Sequence, residues 1–287
     1  MVTFLNVGLN GLLMGLVYAL MALGLSVVFG ITRIINFAHG EMMILASLLT
    51  ITFYQYMHLN LLLLLPLLAL VMFAAGYGFQ KFFITHLTTK NEHVQFIGLS
   101  AFAMILLNLE LLIFGSEARS LVVLGALDSL TFGPFLIDKI RLYGAVIAFT
   151  ITIVLFWFFR HTATGTAIRA CSDNSFAAKV IGLNDEKLYA ISFGIAGAIL
   201  ALSGGLISLL IDIVPQLGPH LTLLSFVVVI MGGLNSMTGA LAGGILLGIS
   251  ESYVAFYGQS SLKSFVSFGL LILILLLRPQ GLLAERG

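Results

Sequence analysis

Residues 7–29 read VGLNGLLMGLVYALMALGLSVVF, a run without a single charged side chain. As a helix this run rises about 34 Å, enough to cross a hydrocarbon core of roughly 30 Å with some tilt. A secretory signal also opens on an apolar run, but it needs a basic segment ahead of it. No Lys or Arg occurs before Arg33, so the stretch reads as a retained first span.

Working outward, similar apolar runs recur over residues 42–57, 61–84, 96–114, 142–159, 188–211 and 264–277. Hydrophobic residues make up 60% of the 287, about 172, which at ~20 per span supplies at most eight or nine crossings. Only 9% of residues are charged, against roughly a quarter in soluble domains. The expected fold class is therefore all-α, a polytopic membrane protein of about eight transmembrane helices forming one domain over residues 1–287, with membrane lipid as its surroundings. With 13 basic against 12 acidic residues there is no basic field to hold nucleic acid, which is excluded as a main partner. The single Cys171 excludes an internal disulfide framework and a cysteine-ligated metal, and reads as an inert loop thiol.

Two places interrupt the pattern. Residues 221–257 form one apolar stretch broken by Gly232-Gly233-Leu234-Asn235-Ser236-Met237-Thr238-Gly239. The dozen residues before the break rise only ~18 Å as helix, so a short half-helix, a turn at membrane depth and a longer returning helix are expected. The other interruption, from Phe29 to Glu41, contains Ile35-Asn36-Phe37-Ala38-His39-Gly40-Glu41. Paired breaks point to inverted repeats with a substrate path where they meet.

Orientation follows from basic residues in short loops. An outside amino terminus leaves Arg33, Lys81, Lys90, Arg160, Arg169, Lys179, Lys187, Arg278 and Arg286 in the cytoplasm and Arg119, Lys139, Arg141 and Lys263 outside, nine against four. The longest external loop is then residues 115–141, with Pro134 and mixed charges, a surface for an external partner. The longest polar cytoplasmic segment is residues 160–187. Within it Ser172 or Asp173 can cap a short helix, Phe176, Val180 and Leu183 share a face at i, i+4 and i+7, and Gly182 can end it. Such a helix either merely returns the chain or docks into a cytosolic partner through Phe176 and Val180.

Small residues at four-residue spacing, Gly11 and Gly15, Gly239 and Gly243, Gly244 and Gly248, let helix backbones approach closely, within one subunit or between two. Carboxylates in apolar runs carry more meaning, because a lone charge at membrane depth faces a cavity or a partner. Glu41 and His39 stand at the first break and read as path-lining or interfacial. Glu110 lies within a span or near the outer headgroups, and Glu251 lines a path or lies near the outer surface. Asn36, His39, Glu41, Asn235 and Glu251 are the candidate path residues.

None of the six lysines has the Gly-Lys-Ser/Thr context of a phosphate-cradling loop. Gly-x-Ser-x-Gly and His-Glu-x-x-His are also missing from the sequence, which leaves an intramembrane hydrolase unsupported. The chain is expected to carry no catalytic residue, no metal and no cofactor of its own.

Several segments together resemble the LivH-type permeases of bacterial branched-chain amino acid ABC importers: residues 16–47 with Asn36-Phe37-Ala38-His39-Gly40-Glu41, residues 98–115, residues 165–184 with Ile181-Gly182-Leu183-Asn184, residues 231–251, and the closing Arg278-Pro279-Gln280-Gly281. The resemblance implies a pore shared with a LivM-type second permease, two cytosolic ATPase subunits (LivG- and LivF-type) that hold ATP and Mg, and a periplasmic substrate-binding protein, in the bacterial inner membrane. It also implies that Asp173 to Gly182 is the coupling helix, with Asp173, Asn174, Phe176, Ala177, Val180, Ile181 and Gly182 facing the ATPase. Importers of urea and short amides share the pattern, so the solute stays open between these and branched-chain amino acids. A stand-alone channel or ion-coupled transporter, using Glu110 or Glu251 as its ion site, is the rival from another class.

Overall fold

The computed structural model describes residues 2–88, 90–121, 129–133 and 135–283; Pro134 and Arg286, singled out above, lie outside the described residues. The chain is a bundle of helices: α1 Val2–Thr32, α2 His39–Met57, α3 Leu61–Phe79, α4 Thr85–Thr88, α5 Glu92–Phe114, α6 Lys139–His161, α7 Ala163–Asp173, α8 Ser175–Val180, α9 Asp185–Ile207, α10 Gly218–Gly232, α11 Met237–Tyr257 and α12 Lys263–Leu277. Among the described residues seven segments, including α1, α5, α6, α9 and α11, are long and apolar enough to cross a membrane. A π turn over Gln80–Ile84 joins α3 to α4.

Many helix starts are closed by side chains, though those of α2, α10 and α12 are not. Asn60, Asn91, Asp138, Thr162, Asn174, Asn184 and Ser236 each accept a backbone N–H from the first turn of the helix that follows. Near a bilayer, where few waters can take their place, these caps satisfy donors that a helix leaves orphaned. The end of α1 is shaped by Thr32, whose hydroxyl donates back to the Val28 carbonyl (2.9 Å) and accepts the Ile34 N–H (3.3 Å), and by Arg33, which turns left-handed at φ 57°.

The centre of the bundle is α1 and α9, each about four-fifths buried over its apolar window, whereas α3, α5 and α6 are mostly exposed and present Leu, Ile and Phe to lipid. Lipid gives no hydrophobic exclusion between helices, so their association depends on close packing. A Cβ added at Gly15 would lie 2.7 Å from the Gly244 carbonyl oxygen, and one at Gly11 would lie 2.9 Å from that of Gly248. The glycine pairs thus join α1 to α11 within the subunit, and Gly239 and Gly243 likewise meet α10 at Gly232 and Val228.

Three expectations are corrected in detail. The helix before the second break is α10, 15 residues long and led in by a 3-10 turn over Pro215–Leu217, rather than a dozen residues from 221. It still rises only about 22 Å. The second helix starts at His39 rather than residue 42, because Asn36 organises the turn before it. The loop over residues 115–141, expected to be external, holds an antiparallel hairpin, β1 Ser129–Phe132 with β2 Phe135–Asp138, pairing Ser129 with Asp138. A backbone bridge from Arg119 to Ile213 ties the same loop to the segment after α9.

Candidate translocation path and coupling surface

The first break sets α2 directly against α10. Asn36 is buried and its side-chain carbonyl accepts the Ala38 N–H at 3.1 Å, a local turn that aims the chain into α2. His39 is also buried, with Nε2 3.1 Å from the Met21 carbonyl oxygen; a carbonyl can only accept, so Nε2 carries the proton. The Gly40 N–H donates to Thr222 Oγ1 at 2.8 Å. A Cβ on Gly40 would lie 1.9 Å from the Gly218 carbonyl oxygen, so the two first turns touch backbone to backbone. Glu41 packs over Gly218, and Thr222 Oγ1 lies 3.5 Å from its Oε2. Two helix amino termini, each with partial positive charge, therefore converge around one carboxyl group.

A second carboxyl joins them from α5. Glu110 is 1% exposed, neither of its oxygens has a hydrogen-bond partner among the described residues, and it is within electrostatic reach of Glu41. Glu110 thus lies inside the subunit rather than on its surface. Phe96 of α5 reinforces the junction, its ring edge-on to Phe37 at 4.7 Å.

Glu251 lies elsewhere. Its Oε2 accepts from the Tyr18 hydroxyl at 2.9 Å and its Oε1 from the Ser267 hydroxyl at 2.7 Å, so one buried carboxyl joins α1, α11 and α12. Asn235 is separate again: it is exposed in the turn between α10 and α11. The carboxy-terminal segment straps that turn, with Leu282 N–H donating to the Met231 carbonyl (2.8 Å) and Leu283 N–H to that of Gly232 (3.0 Å). The five candidate path residues therefore fall in three places, and Asn36, His39 and Glu41 alone share one.

At the far end of α1, the Ser172 hydroxyl of α7 donates to the Gly30 carbonyl. After α7 the chain turns at Asn174, whose side chain accepts the Ala177 N–H at 2.9 Å and so caps α8; Asn174, not Ser172 or Asp173, supplies this cap. Gly182 follows at φ +86°, a left-handed residue that ends the element. The expected single helix is thus two, α7 packed and α8 exposed. Phe176, Val180 and Ile181 are 77%, 73% and 74% exposed, while Leu183 is half-buried against the apolar cluster that holds Cys171 and Leu188 instead of sharing their face. Ala177 is exposed and Asp173 closes α7. Lys179 pairs with Asp185 at 2.8 Å, fastening α8 to the start of α9, and that partner pushes the Lys179 ammonium above its ordinary pKa. Burial, with Asp185 adding to it, pushes the Cys171 thiol up.

Thr222, Tyr18 and Ser267 were not among the candidates. The available signal was modest: each is a lone hydroxyl in an apolar run, a pattern that packing serines and threonines share.

These features define a multi-pass membrane protein with broken helices inside and an exposed apolar helix at one end. Residues 8–275 match the family model described as branched-chain amino acid transport system / permease component, and the chain belongs to that family. It is 30% identical to the high-affinity branched-chain amino acid transport system permease protein BraD of Pseudomonas aeruginosa, over 96% of this chain and 94% of that one. It is 29% identical to the corresponding LivH of Escherichia coli, over 98% and 96%. LivM of Salmonella typhimurium, another permease protein of such a system, is 24% identical over 94% of this chain and 68% of its own. No solved structure matches.

Proposed function

We propose that this chain is the permease subunit of an ATP-driven importer that moves branched-chain amino acids across the bacterial inner membrane. Its amino terminus faces the periplasm and its carboxyl terminus the cytoplasm, as the distribution of Lys and Arg favours. A LivM-type permease completes the pore, and a periplasmic binding protein delivers the solute. Two ATPase subunits of LivG and LivF type hold ATP and Mg outside the bilayer. The observation that carries this reading is α8: three large apolar side chains left exposed on and just after a short helix capped at one end by Asn174 and terminated by Gly182. An exposed apolar cluster of this kind marks an interaction surface.

In this reading a displacement of α8 reaches the interior through groups on this chain. Lys179–Asp185 passes it to α9, Ser172–Gly30 passes it from α7 to α1, and His39 binds the α1 backbone at Met21. The α2–α10 junction, where Glu41 lies, then shifts relative to α1. A loaded binding protein drives the cycle only if it prefers one of the states so linked.

The test is reconstitution of the chain with its presumed partners and measurement of ATP hydrolysis with and without leucine-loaded binding protein. Stimulation is expected; no stimulation by any loaded binding protein overturns the reading. A second reading, an ion-coupled carrier, draws on the unpartnered Glu110 beside Glu41. Flux driven by an ion gradient in liposomes holding this chain alone is the outcome that favours it.

A further inference from the structure

At the end of α1 remote from α7 and α8, a cavity of about 800 Å³ opens between α1, the start of α6, the end of α11 and the start of α12. This lies within the usual range of small-molecule sites, roughly 300–1,000 Å³. Its apolar wall includes Val7, Met14, Ile140, Leu210, Ile211 and Phe256. Glu251 and Tyr18, both nearly fully buried, also line it, and two hydroxyl donors fix the direction of the carboxyl group.

Two cations, Arg141 and Lys263, line the same cavity. Arg141 stands in the first turn of α6 and Lys263 opens α12. Helix amino termini favour anions, so cations placed there weaken both helices and add to a positive field that an anionic group can use. Asp138 offsets this only in part. Its Oδ1 caps α6 by accepting the Ile140 N–H at 2.9 Å, and its Oδ2 is 3.7 Å from Arg141 Nε. A buried carboxyl group, a pair of cations and an aliphatic wall in one cavity are the complement of an amino acid with an apolar side chain.

We propose that this cavity binds a zwitterion, with its ammonium group on Glu251 and its anionic group on Arg141 and Lys263. The free aliphatic amino acid also uses the apolar wall. The proposal rests on the importer reading and gives the solute a holding site between the delivery side and the α2–α10 junction. Phosphatidylethanolamine carries the same two charges in its headgroup and is the alternative source of this chemistry.

The test uses the assembled transporter in phosphatidylcholine nanodiscs without nucleotide, titrated with radiolabelled leucine. Saturable binding is expected, displaced by unlabelled leucine but not by leucine amide, which lacks the carboxylate, or 4-methylpentanoate, which lacks the ammonium. Glu251→Gln, which keeps shape and one acceptor, and the pair Arg141→Ala with Lys263→Ala each weaken binding by roughly tenfold or more, the scale of a lost charge-assisted hydrogen bond. Ala255→Trp, which leaves every charge in place and fills a residue position lining the cavity, does the same, so a folding defect at one charge does not decide the result. If phosphatidylethanolamine added to the nanodiscs displaces leucine from the wild type but not from Glu251→Gln, the zwitterion site stands, with lipid as its resident. Absence of leucine and phosphatidylethanolamine binding, or leucine binding unchanged in all three variants, overturns the proposal. The importer reading survives that outcome if the same complex still hydrolyses ATP faster with loaded binding protein, and fails separately if it does not.

Discussion

The α2–α10 junction and helix α8 are both short stretches set by a few residues, and they differ in what fills the space around them. At the junction no side chain separates Gly40 from the Gly218 carbonyl, and the two first turns meet backbone to backbone. At α8, Phe176, Val180 and Ile181 project with nothing of this chain over them among the described residues. The first is complete within the subunit; the second has the form of half an interface. Substitutions at the junction are therefore expected to act on the fold, and substitutions on α8 on transport alone.

The largest effect is expected at Gly40→Leu. Any Cβ there meets a backbone oxygen at 1.9 Å, and a backbone cannot rotate away as a side-chain tip can. Overpacking in a well-packed core costs typically 1–3 kcal/mol and more when the backbone must separate. The variant should lose monodisperse protein on detergent size-exclusion chromatography or melt at a clearly lower temperature. A normally folded Gly40→Leu would show that the two first turns do not touch.

Phe176→Asp comes next and sharpens the contrast from the other side. At 77% exposure the ring contributes little to the subunit, so melting should change within about 0.5 kcal/mol. A carboxylate driven into an apolar docking groove costs several kcal/mol, so uptake by the assembled transporter should fall at least tenfold. Unchanged uptake removes α8 from coupling and leaves the junction as the one functional feature of the pair.

A smaller effect is expected at Glu110→Leu, inside the junction region. The wild-type carboxyl is buried without a hydrogen-bond partner among the described residues and near Glu41. Replacing such a group by an apolar one of similar size relieves a burial penalty, so stability should rise by about 1–3 kcal/mol. If transport falls while stability rises, the residue is held for function at the expense of the fold. Lower stability would mean that Glu110 already has a compensating charge.

Much of this was legible in the sequence. The spans follow from apolar length, the break at residues 232–239 from its glycines, and the exposed Phe176 and Val180 from polar surroundings outside any span. The grouping of the candidate path residues was not legible. Asn36, His39 and Glu41 are neighbours in the chain and stay together, but which groups meet them depends on the crossing of α2 with α5 and α10, which bring Glu110 and Thr222 to Glu41 over long separations. Spacing along one helix contains no information about that crossing. The hairpin was missed because its strands are only four residues each, too short for alternation to stand out. The capping residue was misplaced because Ser172, Asp173 and Asn174 are all good caps, and packing of α7 against α1 decides among them.

The smallest perturbation addresses the boundary between packed and unpacked within the α7–α8 segment itself. Cys171 is 1% exposed, and its thiol is pushed up by burial; thiolate is the reactive form, so a raised pKa leaves less of it at neutral pH. Native protein should therefore label with a maleimide at least tenfold more slowly than unfolded protein. Cys171→Ser combined with Phe176→Cys moves the single thiol by five positions, from the packed face of α7 to the open face of α8, and labelling should become fast. Adding the proposed ATPase subunits should slow it again without changing the melting temperature, because α8 would be covered rather than refolded. Fast labelling that persists in the assembled transporter would leave α8 exposed there too, and the contrast between the closed junction and the open helix would then describe one subunit without describing the machine.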